Sequence, residues 1–312
     1  MLPKLRAKNT KGWMAVVCRG GRIDLAYAVR ARDERPLIER LDSFRVEAGE
    51  ADALQRLRAS HQLKAYACTT LLPESDYRLL QVDAPAVAAE ERTSAVRWRL
   101  KDMVDFPIDT AAVGVLDIPL KDSAAGRQPS VFAVTAGAEA VGRCMRLFDG
   151  ARVPLAAIDI PELAQRNVAA LFEEANRGLA FLSLGEADSL LTITYGGELY
   201  LARRIEVSAR TLAEAEGERR QVLVERLVLE LQRTLDNFDR QYNFISVVRL
   251  VLASEQPADW LLAALGENLY VPVQAMDLAA VADFPALPEL KNPQRQAQGL
   301  LAIGAALREG GP

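Results

Sequence analysis

Histidine is almost absent from this chain: His61 is the only one in 312 residues. Any histidine-based zinc site or Ser-His-Asp triad would have to use it, and no G-x-S-x-G elbow accompanies it. Its polar context after a helical stretch predicts an exposed helix-end residue. Cysteine is nearly as scarce. Cys18, Cys68 and Cys144 form no C-x-x-C pair, which excludes a thiolate metal site or dithiol redox centre built on that motif. Cys18 and Cys68 lie in strand-like apolar runs and read as small buried hydrophobes. An odd cysteine count without a signal peptide points to a reducing cytoplasm. No stretch reaches the roughly 18 apolar residues that span a bilayer. The start, MLPKLRAKNTKGW, lacks the apolar run of a secretory signal, and Lys4, Arg6, Lys8 and Lys11 read as a solvated tail rather than a membrane contact. A large charge of one sign is also missing; the net charge of −4 argues against a bulk nucleic-acid binder. What remains is ordinary for a soluble globular chain, 50% hydrophobic and 26% charged, and long enough for two domains.

Against these absences stands a repeated pattern. Residues 12–30, GWMAVVCRGGRIDLAYAVR, and 178–205, GLAFLSLGEADSLLTITYGGELYLARRI, each read as a strand, a glycine-marked turn and a returning strand. Around the first lie predicted strands at Trp13–Val17, Ile23–Val29 and Ser43–Val46, with turns at Gly20-Gly21 and Ala31–Pro36. A helix at Ala51–Ser60 and a buried strand at Lys64–Thr69 follow. Residues 71–157 read as a separate α+β unit. It has strands at Tyr77–Val82, Val113–Ile118, Val131–Thr135 and Leu155–Ile160, and a polar loop at Leu120–Pro129. Its helices are Ala89–Val104, carried by Val96, Leu100 and Val104 and stopped at Phe106-Pro107, and Ala138–Phe148. Helix Pro161–Glu174 leads into the second half, where a hairpin is read at Ser189–Val207. The strongest helix, Arg219–Arg240, sets Val224, Leu227, Val228, Leu231, Leu235 and Phe238 at spacings of three and four. Val247–Leu252 and Tyr270–Val273 read as strands and Asp259–Leu265 as a helix. Leu278–Val281 and an Ala/Leu/Gly-rich helix at Gln298–Leu307 finish the chain.

Two halves that each open on a hairpin suggest the actin-like (ribonuclease H-like) two-lobed α/β ATPase fold. The first lobe is then 12–70, the inserted α+β subdomain 71–157 and the second lobe 158–312, with helix 298–309 able to pack back on the first lobe. The stretch LLPESDYRLLQVDAPAVAAEERTSAVRWRLKDMVDFPIDTAAVGVLDIPL, residues 71–120, is similar to MshI-type proteins of MSHA (mannose-sensitive haemagglutinin) type IV pilus biogenesis, which are PilM-like. IDIPELAQRN at 158–167, LQRTLDNFD at 231–239 and GLLAIGAALRE at 299–309 add to the likeness. The resemblance implies a cytoplasmic protein, held at the inner membrane through a partner. That partner would be the cytoplasmic tail of a single-pass, PilN-like pilus protein. In PilM-like proteins the tail groove lies between the first subdomain and the inserted one. Its wall here would come from Leu71–Ile118 and the preceding hairpin, and Tyr77, Leu79, Trp98 and Phe106 are the candidate anchors.

An actin-like ATPase needs a D-x-G-(S/T) hairpin, a D-x-G-x-x-x-T loop and a glycine-rich adenosine segment. Here Val17 and Ser183 stand where the two carboxylates belong. Arg19, Gly20, Gly21, Gly185 and Glu186 are what is left of the nucleotide positions. Asp24 falls after the first turn, and Asp188 lies near the second. The third segment, LVLASEQPADW at 250–260, has no glycine and carries Pro257. The reading is therefore of a non-catalytic scaffold in which no metal and no Mg-ATP is expected, with residual nucleotide binding left open. A working ATPase and an actin-like filament former stand as alternatives, and a homo-oligomer is left open. The pairs Asp102/Asp105 and Asp236/Asp239 read as solvated surface, and Asp159 as an N-cap-region residue. Arg97-Trp98-Arg99 reads as a packed Trp between solvated arginines rather than a nucleic-acid contact.

Overall fold

The computed structural model describes residues 12–30, 34–47, 49–120 and 128–308. The basic start, the first half of the turn at Ala31–Pro36 and most of the loop at Leu120–Pro129 lie outside these residues. Thirteen strands are described: β1 Trp13–Arg19, β2 Arg22–Val29, β3 Leu37–Arg45, β4 Cys68–Leu71, β5 Arg78–Asp83, β6 Ala112–Asp117, β7 Ser130–Ala136, β8 Leu155–Asp159, β9 Gly178–Leu184, β10 Ser189–Tyr195, β11 Glu198–Ile205, β12 Val247–Ser254 and β13 Val273–Ala275. The α-helices are α1 Glu50–Ser60, α2 Ala89–Arg99, α3 Ala138–Gly150, α4 Pro161–Ala169, α5 Ala209–Glu214, α6 Gly217–Gln241, α7 Asp259–Asn268 and α8 Pro293–Ala306.

The hairpin echo in the sequence extends through two whole sheets. One runs β3-β2-β1-β4-β8 and the other β11-β10-β9-β12-β13. Each opens with a three-strand meander whose first strand ends up in the middle, beside the strand that follows the next helix. In the second sheet β9 pairs antiparallel with β10 and parallel with β12, which pairs parallel with β13. In the first, β4 and β8 are parallel. The shared order is the ribonuclease H-like arrangement, present twice. Both central strands are nearly sealed: Met14, Ala15 and Val16 in β1, and Ala180, Phe181 and Leu182 in β9, have no exposed surface. That is why these segments read as continuous apolar runs rather than alternating ones.

Two turns use glycine pairs for a stated reason. Gly20 and Gly21 have φ of +58° and +70°, and Gly196 and Gly197 have +60° and +79°. A two-residue hairpin turn with both φ positive matches the strand twist and excludes most side chains. Topology places these pairs differently, however. The partner of the Gly20-Gly21 loop is Gly185–Asp188, between β9 and β10, while Gly196-Gly197 joins β10 to β11. The stretch 178–205 thus holds three strands rather than two.

Two compact units are distinguished, one of Val16–Ile23 and Phe44–Pro161, the other of Asp24–Ser43 and Glu162 onward together with residues before Val16. Within the first, a three-stranded antiparallel sheet β5-β7-β6 is spliced between β4 and α3. α2 covers one of its faces: Val96 and Leu100 pack with Val82, Ile108, Ala111, Val131 and Ala133. The expected helix 89–104 ends at Arg99, five residues early, and Leu100 N closes onto Val96 and Arg97 carbonyls. The stripe Val96, Leu100, Val104 does pack together, but the chain reaches Val104 through turns. Periodicity recorded the burial, not the backbone.

Within the second unit, α6 lies against α5, α7 and β11 and buries Leu227, Leu231, Leu235 and Phe238. α8 begins at Pro293, five residues before the expected start. Asn292 caps it by accepting from Arg295 N at 3.1 Å, and proline fits the first turn, which has no N–H partner to lose. α8 is almost wholly buried and touches α4: Asn167 Nδ2 donates to Gly304 O at 2.8 Å.

Candidate functional site

The first loop is the tip of the β1–β2 hairpin. Val17, where a carboxylate was sought, is 3% exposed in an apolar strand. Arg19 ends β1 half-buried, and Gly20 and Gly21 are exposed with open space where a side chain would stand. Gly21 O accepts from Val46 N at 2.8 Å, which ties the turn to the chain after β3. The one acid nearby in sequence, Asp24, is buried in β2. Its Oδ1 accepts from Ser43 Oγ at 2.5 Å, and Arg295 donates to the same hydroxyl at 2.8 Å and to Leu41 O at 3.1 Å. Asp24 thus belongs to a linkage joining β2, β3 and α8.

The second loop is internally bonded. Gly185 N donates to Asp188 O (2.8 Å), Gly185 O accepts from Ala209 N (2.9 Å), and Leu184 O accepts from Glu255 N (3.1 Å). A Cβ on Gly185 would lie 2.8 Å from Asp188 O and 3.0 Å from its Oδ1, so glycine is required there by close approach rather than by positive φ. Ser183, in the other carboxylate position, donates to Gln165 Oε1 at 2.6 Å. Gln165 is fully buried and its amide donates to Phe181 O, Leu190 O and Thr192 Oγ1 at 3.0–3.1 Å. Asp188 Oδ2 accepts from Arg204 at 3.0 Å, and the same guanidinium reaches Glu162, 5% exposed, at 3.0 Å. Glu186 points outward and lies 4.0 Å from Arg210.

These residues do not fit Mg²⁺-nucleotide. Hydrated Mg²⁺ is held by carboxylates plus phosphate oxygens, and the two positions carry a buried valine and a serine already engaged with an amide. Asp24 and Asp188 are held in other contacts. Ser189, which stands where the D-x-G-x-x-x-T pattern has threonine, is 1% exposed, and its hydroxyl has no hydrogen-bond partner among the described residues. One neutral hydroxyl does not replace two carboxylates.

The proposed anchors separate. Tyr77 is 4% exposed, Leu79 half-buried in β5, and Phe106 half-buried against the α2–sheet cluster and within reach of Gly137. Trp98, expected to be packed, is 75% exposed. The face of α2 that packs takes Val96 and Leu100, and a residue midway between them points some 200° away from each. Lys101 Nζ sits 5.7 Å from its ring centre, and Arg97 donates to Ala111 O at 2.8 Å. His61 also departs from expectation. It is half-buried after α1, its ring 5.0 Å from that of Phe44. Asp159 Oδ1 accepts from Ile160 N at 2.9 Å, just before α4. Asp102, Asp236 and Asp239 are exposed, and Asp105 pairs with Arg78 at 3.5 Å. Cys68 is buried and Cys18 and Cys144 are half-buried; burial pushes the Cys68 thiol up to about 12 and contributes most to raising Cys144 to about 11.

On the face of the inserted sheet opposite α2, sequence reasoning picked out only Leu79 and missed its neighbours. Register sets Leu79, Val134 and Gly114 in one cross-strand row and Gln81, Phe132 and Leu116 in the next. Leu79, Val134 and Leu116 are half-buried, and Gly114 is exposed. The signal was available in the alternation of 112–117, but a glycine in that run hides it.

No protein-family model matches the chain, and neither does any curated protein sequence. Solved structures do match. The chain is similar to one in the PilM-PilN type IV pilus biogenesis complex, with a TM-score of 0.75 and 19% identity, covering 96% of this chain and 98% of that one. A Bacteroides thetaiotaomicron protein with actin-like ATPase fold gives 0.48 and 9%, over 93% and 96% of the two chains. The cytoplasmic domain of EpsL, an inner membrane component of the Vibrio cholerae type II secretion system, gives 0.49 and 12%, over 96% and 95%. Scores below 0.5 carry no weight. With the doubled sheet order, the first match establishes the actin-like fold. Among the described residues no helix is long and apolar enough to cross a membrane.

Proposed function

We propose that this chain is a non-catalytic actin-like scaffold of a type IV pilus assembly platform of the MSHA kind. It works on the cytoplasmic side of the inner membrane and holds the cytoplasmic tail of a PilN-like, single-pass partner. The observation that carries the reading is the end-to-end likeness to a chain of the PilM-PilN complex in a molecule whose two phosphate loops hold Val17 and Ser183 instead of acids. Without those acids the enzymatic half of the fold's chemistry has no ligands for Mg²⁺. The half-buried Leu79, Val134 and Leu116, on the sheet face opposite α2, offer apolar contact to a peptide, which is what a tail-binding scaffold requires. Two measurements test the two halves of the proposal. Mg-ATP at millimolar concentration should leave the melting temperature unchanged, whereas binding at 100 times Kd would add about 2.7 kcal/mol. Immobilised full-length protein should retain a PilN-like protein from a detergent extract of inner membranes. A large nucleotide-dependent shift overturns the first half; failure to retain any single-pass platform protein overturns the second.

A further inference from the structure

Among the described residues, one edge of the inserted sheet pairs with no further strand. β6 is the outer strand of the order β5-β7-β6 and pairs only with β7, in unbroken register from Ala112↔Ala136 to Asp117↔Val131. Among the described residues, no other element hydrogen-bonds to residues 112–117 through their backbone. In an antiparallel ladder alternate residues turn their N–H and C=O outward, so β6 presents a row of unmet donors and acceptors. Edge strands are ordinarily blunted by Lys, Pro or a bulge, and AVGVLD has none. Its one charge, Asp117, is paired with Arg92 at 2.6 Å. Ala112 and Gly114 are exposed and Val113 and Val115 half-buried. The opposite edge is better guarded: β5 carries Arg78, Gln81 and Asp83, and Asp83 O accepts from Arg99.

Gly114 strengthens the case. Its φ is not positive, and a Cβ there would meet only Val134 Cβ, at 4.0 Å. The fold therefore does not need glycine at this position, and glycine weakens a strand. Glycine inside a strand marks close approach by another backbone or ligand. Here it leaves a notch between Ala112 and Leu116.

We infer that β6 receives an extended, apolar peptide by strand addition, as a fourth strand beside Ala112–Asp117. This rests on the tail-binding reading above and specifies how the tail is held. Side chains of the added strand would lie alternately beside Val113/Val115 and over the Gly114 notch, so the peptide must be apolar and small at the notch position. A peptide fits the edge better than a second copy of the chain. Pairing two six-residue strands buries far less than the about 1,000 Å² that a specific interface between folded proteins needs, whereas a membrane-tethered tail binds at raised effective concentration.

The test uses the full chain with synthetic cytoplasmic-tail peptides of PilN proteins. Hydrogen exchange should slow at alternate residues of 112–117 on adding peptide. Single N-methylation along the peptide should weaken binding at least tenfold at every second residue and little between. Gly114→Val should leave the melting temperature unchanged or higher, because valine suits a strand and has room, yet lower affinity at least tenfold. Binding with no period of two, with protection elsewhere, or with Gly114→Val unimpaired overturns strand addition while leaving tail binding intact. Protection of 112–117 that grows with protein concentration alone overturns the peptide in favour of a second copy. No binding by any tail peptide overturns both readings.

Discussion

The contact of α8 with α4 gives the sharpest quantitative prediction. A Cβ on Gly304 would stand 2.0 Å from Ala164 O and 2.6 Å from Ala164 C. These are backbone atoms and cannot turn aside. Reaching an ordinary contact of 3.4 Å requires the helices to part by 3.4 − 2.0 = 1.4 Å along that line. Overpacking of this kind costs about 1–3 kcal/mol. The same movement stretches the bond from Asn167 Nδ2 to Gly304 O, and Asn167 is 4% exposed. An amide left unpaired there adds about 1–3 kcal/mol. Against this, alanine gains about 1 kcal/mol of helix propensity over glycine. Gly304→Ala should therefore destabilise by about 1–5 kcal/mol and lower the melting temperature by roughly 2–10 °C. Gly266→Ala is the control. Gly266 lies within α7 with nothing inside 4 Å of its virtual Cβ, so the same substitution should stabilise by about 0.5–1 kcal/mol. Urea unfolding of both variants measures the difference. Two variants stabilised alike would refute the α8–α4 contact.

Other substitutions probe the buried charges. Arg204→Met strands Glu162 and Asp188 together and should cost about 2–4 kcal/mol in urea unfolding, the upper range for a buried pair being moderated by the partial exposure of Asp188. Arg295→Met removes the guanidinium that supports the Ser43–Asp24 contact; it should cost about 1–3 kcal/mol, and Arg295→Lys should restore only part of it. Glu173 has its carboxyl raised above 4.5, mainly by burial, while Gly197 N donates to it at 2.9 Å. An acid raised in the folded state is charged first in the unfolded one, so it lowers stability as pH rises through 4.5 and above. Glu173→Gln should thus be stabilising near neutral pH relative to the parent, with the advantage vanishing below about pH 4, as thermal melts across that range would show. A Glu173→Gln variant less stable than the parent at pH 7 would contradict that sign.

Much of the architecture was legible because its signals are local. Gly20-Gly21 between apolar runs is a hairpin in any context, and the three-four spacing from Val224 to Phe238 describes α6 well. What misled was burial without matching backbone. Val104 continues the apolar stripe of α2 after the helix has ended. Trp98 reads as core by residue type, and only the position of Val96 and Leu100 against the sheet shows that it faces solvent. The stretch 178–205 reads as one hairpin, whereas it holds three strands, with turns at Gly185–Asp188 and Gly196-Gly197. In the loops, sequence sets Val17 and Ser183 where the pattern of the fold has acids. It could not reveal that Gln165, from a distant segment, engages Ser183, or that Arg204 joins Asp188 to Glu162.

The inserted sheet is entered at Arg78 and left near Thr135, and these two residues face each other across one rung of the ladder. A module whose two ends meet in this way can be excised or exchanged with a short bridging loop, without lengthening or shifting the strands that flank it. Recognition can then diversify by swapping this piece while the doubled framework stays fixed, so chains sharing the framework need not share a ligand.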